Sequence, residues 1–266
     1  NDDNITSPSY PTNLTDGGEG IAAAHIITTS ITNPYLGSSV DAEDDGQPSA
    51  TAEGDDNNTD DEDGITFLTP LIPGRTAQIQ VVAGTAGYLS TFIDWDGDGT
   101  LDPVTLVSAT GGTVSPAAGV IGDTHLDSAD TYVLTISVPT TATGVLPNRF
   151  RFTAEAGQGG NSTTGEASTG EVEDYILAAL GDYVWRDLDS DGIQDGNEVG
   201  LNGVVVSLLN GSNNPVTDGN GNAITTTTGI NPNTGDSGWY EFPGLIPGDD
   251  YIVQFVPTDG IFTTQD

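Results

Sequence analysis

Asp187-Leu-Asp-Ser-Asp-Gly-Ile-Gln-Asp-Gly-Asn-Glu198 is the stretch from which the rest of this chain can be read. A twelve-residue calcium loop takes oxygen donors from positions 1, 3, 5, 7, 9 and 12 and needs glycine at 6 for its sharp turn. Here those places hold Asp187, Asp189, Asp191, the carbonyl of Ile193, Asp195 and Glu198, with Gly192 at the turn. The alternative reading is an acidic surface turn that binds nothing. The complete donor set favours a chain organised by calcium.

Outward from the loop, the sequence is all β. Helix signals are nearly missing; Gly20 to Ile27 is the only helix-leaning run. The 36 glycines and 15 prolines punctuate short β-branched and aromatic runs, the pattern of β-sandwiches. Thr76 to Val82 alternates, with Ala77, Ile79 and Val81 on one face and Gln78 and Gln80 on the other. Tyr88 to Asp94, Tyr132 to Val138 and Arg149 to Ala154 read as further strands. In the last, Phe150 and Phe152 are expected inward, and Arg149 and Arg151 outward. A second block starts near Gly181, with strands expected at Asp182 to Arg186, Val204 to Leu209, Ala223 to Thr228, Gly238 to Phe242 and Tyr251 to Val256. No flexible linker separates the blocks, so a stiff joint is expected.

Composition narrows the function. The formal charge is −36, from 40 acids against 4 bases, and all four bases are arginines (Arg75, Arg149, Arg151, Arg186). Such a chain repels nucleic acid and anionic lipid. Neither binding to nucleic acid nor direct membrane insertion is expected. High acidity with few bases also fits disorder, but the apolar residues are organised into strand-like runs. Cysteine and methionine are absent. The missing methionine points to a processed product or an excised piece, and removal of a secretory signal would account for it. An extracellular or cell-surface location is expected. Five Asn-x-Ser/Thr sequons begin at Asn4, Asn13, Asn57, Asn161 and Asn210; they permit glycosylation without showing it. Lysine is missing, which excludes a Lys–Asn isopeptide lock and leaves stability to packing and metal.

Two further acidic groups are candidate metal ligands. Asp94, Asp96, Asp98, Thr100 and Asp102 occupy positions 1, 3, 5, 7 and 9 of the same template, but position 12 is Thr105. An ordinary Asp-Gly turn is the alternative there. The third group draws on Asp55, Asp56, Asp61 and Asp63 in a run of seven carboxylates from Glu53 to Asp63, and a solvated acidic loop is its alternative. Two to three Ca²⁺ ions are expected. Glu171, Glu173 and Asp174 are weaker candidates. The two glutamates share one strand face, and at least one of the three acids is expected to pair with Arg149 or Arg151. Catalysis has thin support: no Cys or Lys nucleophile, no G-x-S-x-G and no H-E-x-x-H occurs, so an enzyme is not expected.

Two resemblances follow from motifs. Gly170-Glu-Val-Glu-Asp-Tyr175, with Val40-Asp-Ala-Glu43, Asp60-Asp-Glu-Asp-Gly64 and Phe92-Ile-Asp-Trp-Asp-Gly-Asp-Gly99, resembles the GEVED domain of bacterial surface and secreted proteins. Gly181-Asp-Tyr-Val-Trp185, Gly238-Trp-Tyr-Glu-Phe242 and Gly244-Leu-Ile-Pro-Gly248 resemble the B-type repeat of serine-aspartate-repeat adhesins. The resemblances imply two consecutive Greek-key, Ig-like β-sandwiches stabilised by calcium and used as a stalk or spacer. The expected division is an extended segment over 1–19, a GEVED-like domain over 20–180 and a B-type domain over 181–266. B-type repeats usually continue past the Thr-Thr-Gln-Asp266 found here, so either the chain is cut at this point or the second domain lacks its last strand and is completed from elsewhere. An open edge would accept a strand from another copy, with Asn1 to Thr15 as candidate donor, giving a filament. The competing expectation is an adhesin whose exposed aromatics, such as Tyr35, Trp95 or Trp239, touch a glycan or host protein.

Overall fold

The computed structural model describes residues 23–25, 33–39, 63–158 and 160–256. Among these the chain forms strands and no helix. In chain order they are β1 (Ala23–His25), β2 (Ile65–Phe67), β3 (Thr76–Ala83), β4 (Gly87–Ile93), β5 (Asp102–Pro103), β6 (Thr105–Thr110), β7 (Val114–Ser115), β8 (Gly119–Val120) and β9 (Thr124–Leu126). There follow β10 (Asp130–Ser137), β11 (Leu146–Thr153), β12 (Gly165–Ala167), β13 (Glu171–Tyr183), β14 (Val205–Asn210), β15 (Thr225–Thr227), β16 (Gly229–Ile230), β17 (Ser237–Leu245) and β18 (Tyr251–Val256).

A five-stranded sheet has the order β2-β3-β10-β6-β8. Strict alternation on β3 buries Ala77, Ile79, Val81 and Ala83, as the period-two pattern requires. Facing it is part of an eight-stranded sheet, β16-β17-β13-β11-β4-β9-β7, with β5 paired to β4. Between them lies the first core, where Phe67, Phe150 and Tyr175 meet edge to face at 6.0–6.1 Å. The other end of the large sheet packs against a three-stranded sheet, β15-β14-β18, around Val184, Val206, Leu208, Ile224, Tyr240 and Phe242.

The two cores share β13. Its first half pairs with β11 (Glu171↔Phe152 to Leu177↔Leu146) and its second half with β17 (Ala178↔Leu245 to Tyr183↔Trp239). Successive side chains of a strand point to opposite faces. Tyr175 and Leu177 therefore enter the first core, and Ala178 and Leu180 pack on the second. The sequence pattern suggests a separate strand at Asp182 to Arg186; the chain instead runs through without a break.

Two further expectations are corrected. Ala23–His25 is a strand, parallel to β12, and not a helical turn. So short an alanine run cannot nucleate a helix by itself, whereas β12 supplies backbone partners. Arg149 and Arg151 do take the face opposite Phe150 and Phe152, but they are 1% and 0% exposed. The 160–167 segment covers them. Arg149 donates to the Thr163 carbonyl, and Arg151 donates to those of Ser162, Thr164 and Gly165. Burial, then the neighbouring Arg149 charge, lowers the Arg151 pKa to about 10. Carbonyl lone pairs are what make so large a buried cation tolerable.

Candidate metal centres

Two aspartate loops adopt one hydrogen-bond pattern. In the first, the Asp94 carboxylate accepts the N–H of Gly97 (2.9 Å) and of Gly99 (3.1 Å), three and five residues on. In the second, Asp187 accepts the N–H of Ser190 (2.6 Å) and of Gly192 (3.1 Å), at the same offsets. Asp98 then accepts Thr100 N–H (2.7 Å) and Asp191 accepts Ile193 N–H (2.8 Å), again at matching places. Gly99 and Gly192, the sixth residues of the two loops, carry φ of 87° and 79°, a left-handed bend that glycine adopts without a Cβ penalty.

This wrapping gathers carboxylates. Asp94, Asp96 and Asp98 each bring an oxygen within 4.8 Å of the others, as do Asp187, Asp189 and Asp191. Asp94 is buried at the end of β4, where its N–H is held by Pro147 O, while Asp96 and Asp98 are exposed. Asp102 sits opposite Ile93 on β5; burial, then Asp96, Asp98 and Asp94, raise its pKa. In the second loop, desolvation, then the neighbouring Asp191, raises that of Asp189. Asp195 and Glu198 stand outside its three-carboxylate group. Glu198 is nevertheless buried against the loop, accepting Leu188 N–H (2.6 Å) and Asp195 N–H (3.1 Å). The donor sets are all oxygen, the chemistry of a hard divalent cation, and both loops fit one.

The third group lies mostly elsewhere. Asp55, Asp56 and Asp61 fall outside the described residues; Asp63 is described, and accepts Ser38 N–H at 2.8 Å. The GEVED acids take two roles. Asp174 makes the expected ion pair with Arg149, two contacts of 2.7 and 2.6 Å. Glu171 and Glu173 face the first core instead. Glu171 accepts Leu36 N–H (2.8 Å); Glu173 accepts Gly64 N–H (3.1 Å) and the Tyr175 hydroxyl (2.9 Å). They thus pin the two stretches that flank the acidic 40–62 run. Burial pushes the Glu173 carboxyl up to about 8.

Trp95 lies in the first core at 4% exposure, so it offers no outward surface. Its ring is held at the Asp94 loop by packing. Trp239 is half-buried and tilts against Tyr183, with ring centroids 5.1 Å apart. Sequence reasoning missed Asp218, which is buried, takes N–H groups from Asn220 and Asn222, and pairs with Arg75 across the junction. The Asx-type run Asp218-Gly-Asn-Gly-Asn222 was the available local signal, but nothing in it names Arg75.

Two family models match successive parts of this chain. Residues 88–178 match the model of the GEVED domain, and residues 178–266 that of the SdrD B-like domain. Serine-aspartate repeat-containing protein F of Staphylococcus epidermidis is 32% identical over 163 residues, covering 58% of this chain and 9% of that protein. Serine-aspartate repeat-containing protein I of Staphylococcus saprophyticus is 43% identical over 86 residues, 32% of this chain and 4% of that one. A fibrinogen-binding protein of Staphylococcus epidermidis is 42% identical over 86 residues, 32% of this chain and 7% of that one. The chain spans less than a tenth of each of these three relatives. Among solved structures, a C-terminal fragment of the major pilin GBS80 of Streptococcus agalactiae aligns at TM-score 0.32 and 8% identity, over 76% of this chain and 88% of that one. Residues 88–178 thus match a GEVED domain, and residues 178–266, directly after them, an SdrD B-like domain.

Proposed function

We propose that this pair of domains is a calcium-stabilised, non-catalytic structural module of a bacterial surface or secreted protein, serving as stalk, matrix or filament subunit. The repeated hydrogen-bond pattern of the Asp94 and Asp187 loops is the observation that carries the calcium reading. Asp94, Asp96, Asp98, Thr100 and Asp102 would hold one ion, and Asp187, Asp189, Asp191, Ile193, Asp195 and Glu198 another. Asp55, Asp56, Asp61 and Asp63 remain the proposed ligands of a third. An ion that binds the folded loop better than the unfolded chain adds about 2.7 kcal/mol at free calcium of about 100 times its dissociation constant. Two such ions would approach the whole stability of a typical domain, about 5–15 kcal/mol. The likeness to serine-aspartate repeat-containing proteins and to a fibrinogen-binding protein supports an extracellular or cell-surface place for this module.

Assembly into a polymer by strand addition is the finer part of the proposal, with Asn1 to Thr15 as donor; that segment lies outside the described residues. Light scattering in millimolar calcium and after chelation tests both parts. Long particles that collapse on chelation support a calcium-dependent polymer, and particles that survive deletion of residues 1–15 reject that donor. A size and melting temperature unmoved by chelation would reject the calcium reading itself.

A second reading rests on the half-buried Trp239 beside Tyr183, an aromatic surface suited to a sugar face or a protein ligand. Binding to a glycan array that survives in wild type and is lost in Trp239→Ala would favour an adhesin module.

A further inference from the structure

We infer that the two domains are one cooperative unit, joined through β13, so that a loss of stability in the second core is transmitted in full to the first. Domains tied by a linker move independently unless their interface is large and apolar. Here there is no linker to flex. The same strand gives Tyr175 and Leu177 to the first core and Ala178 and Leu180 to the second. Freeing one core from the other would require breaking a ladder in the middle of a sheet.

Packing crosses the joint in both directions. Ile72, from the turn before β3, is 6% exposed and belongs to the second core. Ile246, just after β17, packs against the first. Each core is therefore completed by a residue of the other block. The backbones also meet: Leu71 N–H donates to Gly244 O at 2.9 Å, and Gly219 N–H donates to Thr76 O at 2.8 Å. A methyl at Gly244 would stand 2.6 Å from Leu71 Cβ, and one at Gly219 would stand 3.1 Å from Thr76 backbone.

Polar contacts fix the orientation. Arg75 Nη1 lies 3.0 Å from Asp218 Oδ2, with the two side chains 27% and 3% exposed. On the other side of the joint, Glu241 accepts the Thr143 hydroxyl (2.7 Å) and Gly144 N–H (3.1 Å). A buried carboxylate that finds its cation only across an interface penalises separation, because parting leaves it without that partner. Hydrogen bonds at two sites and shared apolar packing leave no axis about which the blocks can hinge.

The test uses the full chain and needs no metal. Trp185→Phe with Trp239→Phe leaves Trp95, in the first core, as the sole tryptophan. In chelator, Val206→Ala is then added, opening a void in the second core, where Val206 is 0% exposed. Thermal unfolding is followed by Trp95 fluorescence and by far-ultraviolet circular dichroism. One transition by both probes, moved down by the same number of degrees in the Val206→Ala protein, is the expected result. A Trp95 midpoint that stays put while the dichroism splits into two steps would overturn the inference. Should Val206→Ala prevent folding of the second core, Trp95 must lose its native emission as well; native emission there would equally overturn it. Glu241→Gln, a milder change at the joint, should also shift both probes together, and a split there counts against it. A module that binds no calcium and never polymerises would still give these outcomes, so this test and that of the proposed function fail separately.

Discussion

Glu171 and Glu173 lie on the same face of β13, both buried, each holding a backbone N–H from a different flank of the acidic run: Leu36 for the first, Gly64 for the second. Two carboxylates on the core side of a sandwich are costly if both ionise, because burial strips water from the charged form. Arg149 and Arg151 are on the opposite face of the sheet. Glu173 is therefore sensitive to protons.

Burial raises Glu173 from its usual 4.5 to about 8, and the groups facing it, Glu171, Asp63 and Tyr175, include no cation. Between those values the folded state keeps a proton that the unfolded state releases. Its contribution to stability is complete below about pH 4.5 and is lost as pH rises through about 8. In chelator, the urea midpoint of wild type should fall between pH 5 and pH 8.5. Glu173→Gln, which still accepts from Gly64, should flatten that fall. Parallel profiles for the two proteins would refute this origin.

Asp94 and Asp96 separate scaffold from ligand. Asp94 is buried and holds two backbone N–H groups, so Asp94→Asn should cost about 1–3 kcal/mol even in chelator. Asp96 is exposed, so Asp96→Asn should change stability in chelator by no more than about 0.5 kcal/mol. It should still reduce the rise in melting temperature on adding calcium. Calorimetry with and without calcium reads both effects, and an undiminished calcium response in Asp96→Asn would remove this residue from the ligand set.

Arg151→Lys is not a conservative change here. The guanidinium serves three carbonyls, those of Ser162, Thr164 and Gly165, in one planar fork. A single ammonium cannot reproduce that spread, and at least one buried carbonyl loses its partner. A loss of about 1–3 kcal/mol is expected in urea unfolding, with the covering 160–167 segment cut sooner by protease. An unchanged midpoint would mean that the segment is held by other contacts.

Gly244→Ala should destabilise the joint. The residue has φ of 64° and an added Cβ would meet Leu71 Cβ and O, each at 2.6 Å. Strain and overpacking together predict a cost of about 1–3 kcal/mol. Gly144, with a similar φ of 68° but nothing within 4 Å of an added Cβ, is the control and should lose less. Equal losses in the two variants would assign the effect to backbone conformation alone.

Local rules made much of the molecule legible. Period-two alternation marks β3 and its buried face, and Gly and Pro mark the turns between strands. The loops at Asp94 and Asp187 are readable because their hydrogen bonds run between residues no more than five apart. The opposite faces of Glu173 and Asp174 follow from strand geometry, and an arginine partner for at least one of the three acids from the scarcity of bases; that it is Asp174 with Arg149 does not.

Tertiary structure alone decided the rest. That Arg149 and Arg151 are buried depends on a covering segment more than ten residues away in the chain. That β13 serves two cores depends on which strands flank its halves, and a strand's own sequence names neither. The partners Arg75 and Asp218 are 143 residues apart. Backbone periodicity is written locally, because each residue's direction is set by its neighbours in sequence. The choice of what lies across a core or a joint is made by packing, which sums over the whole chain.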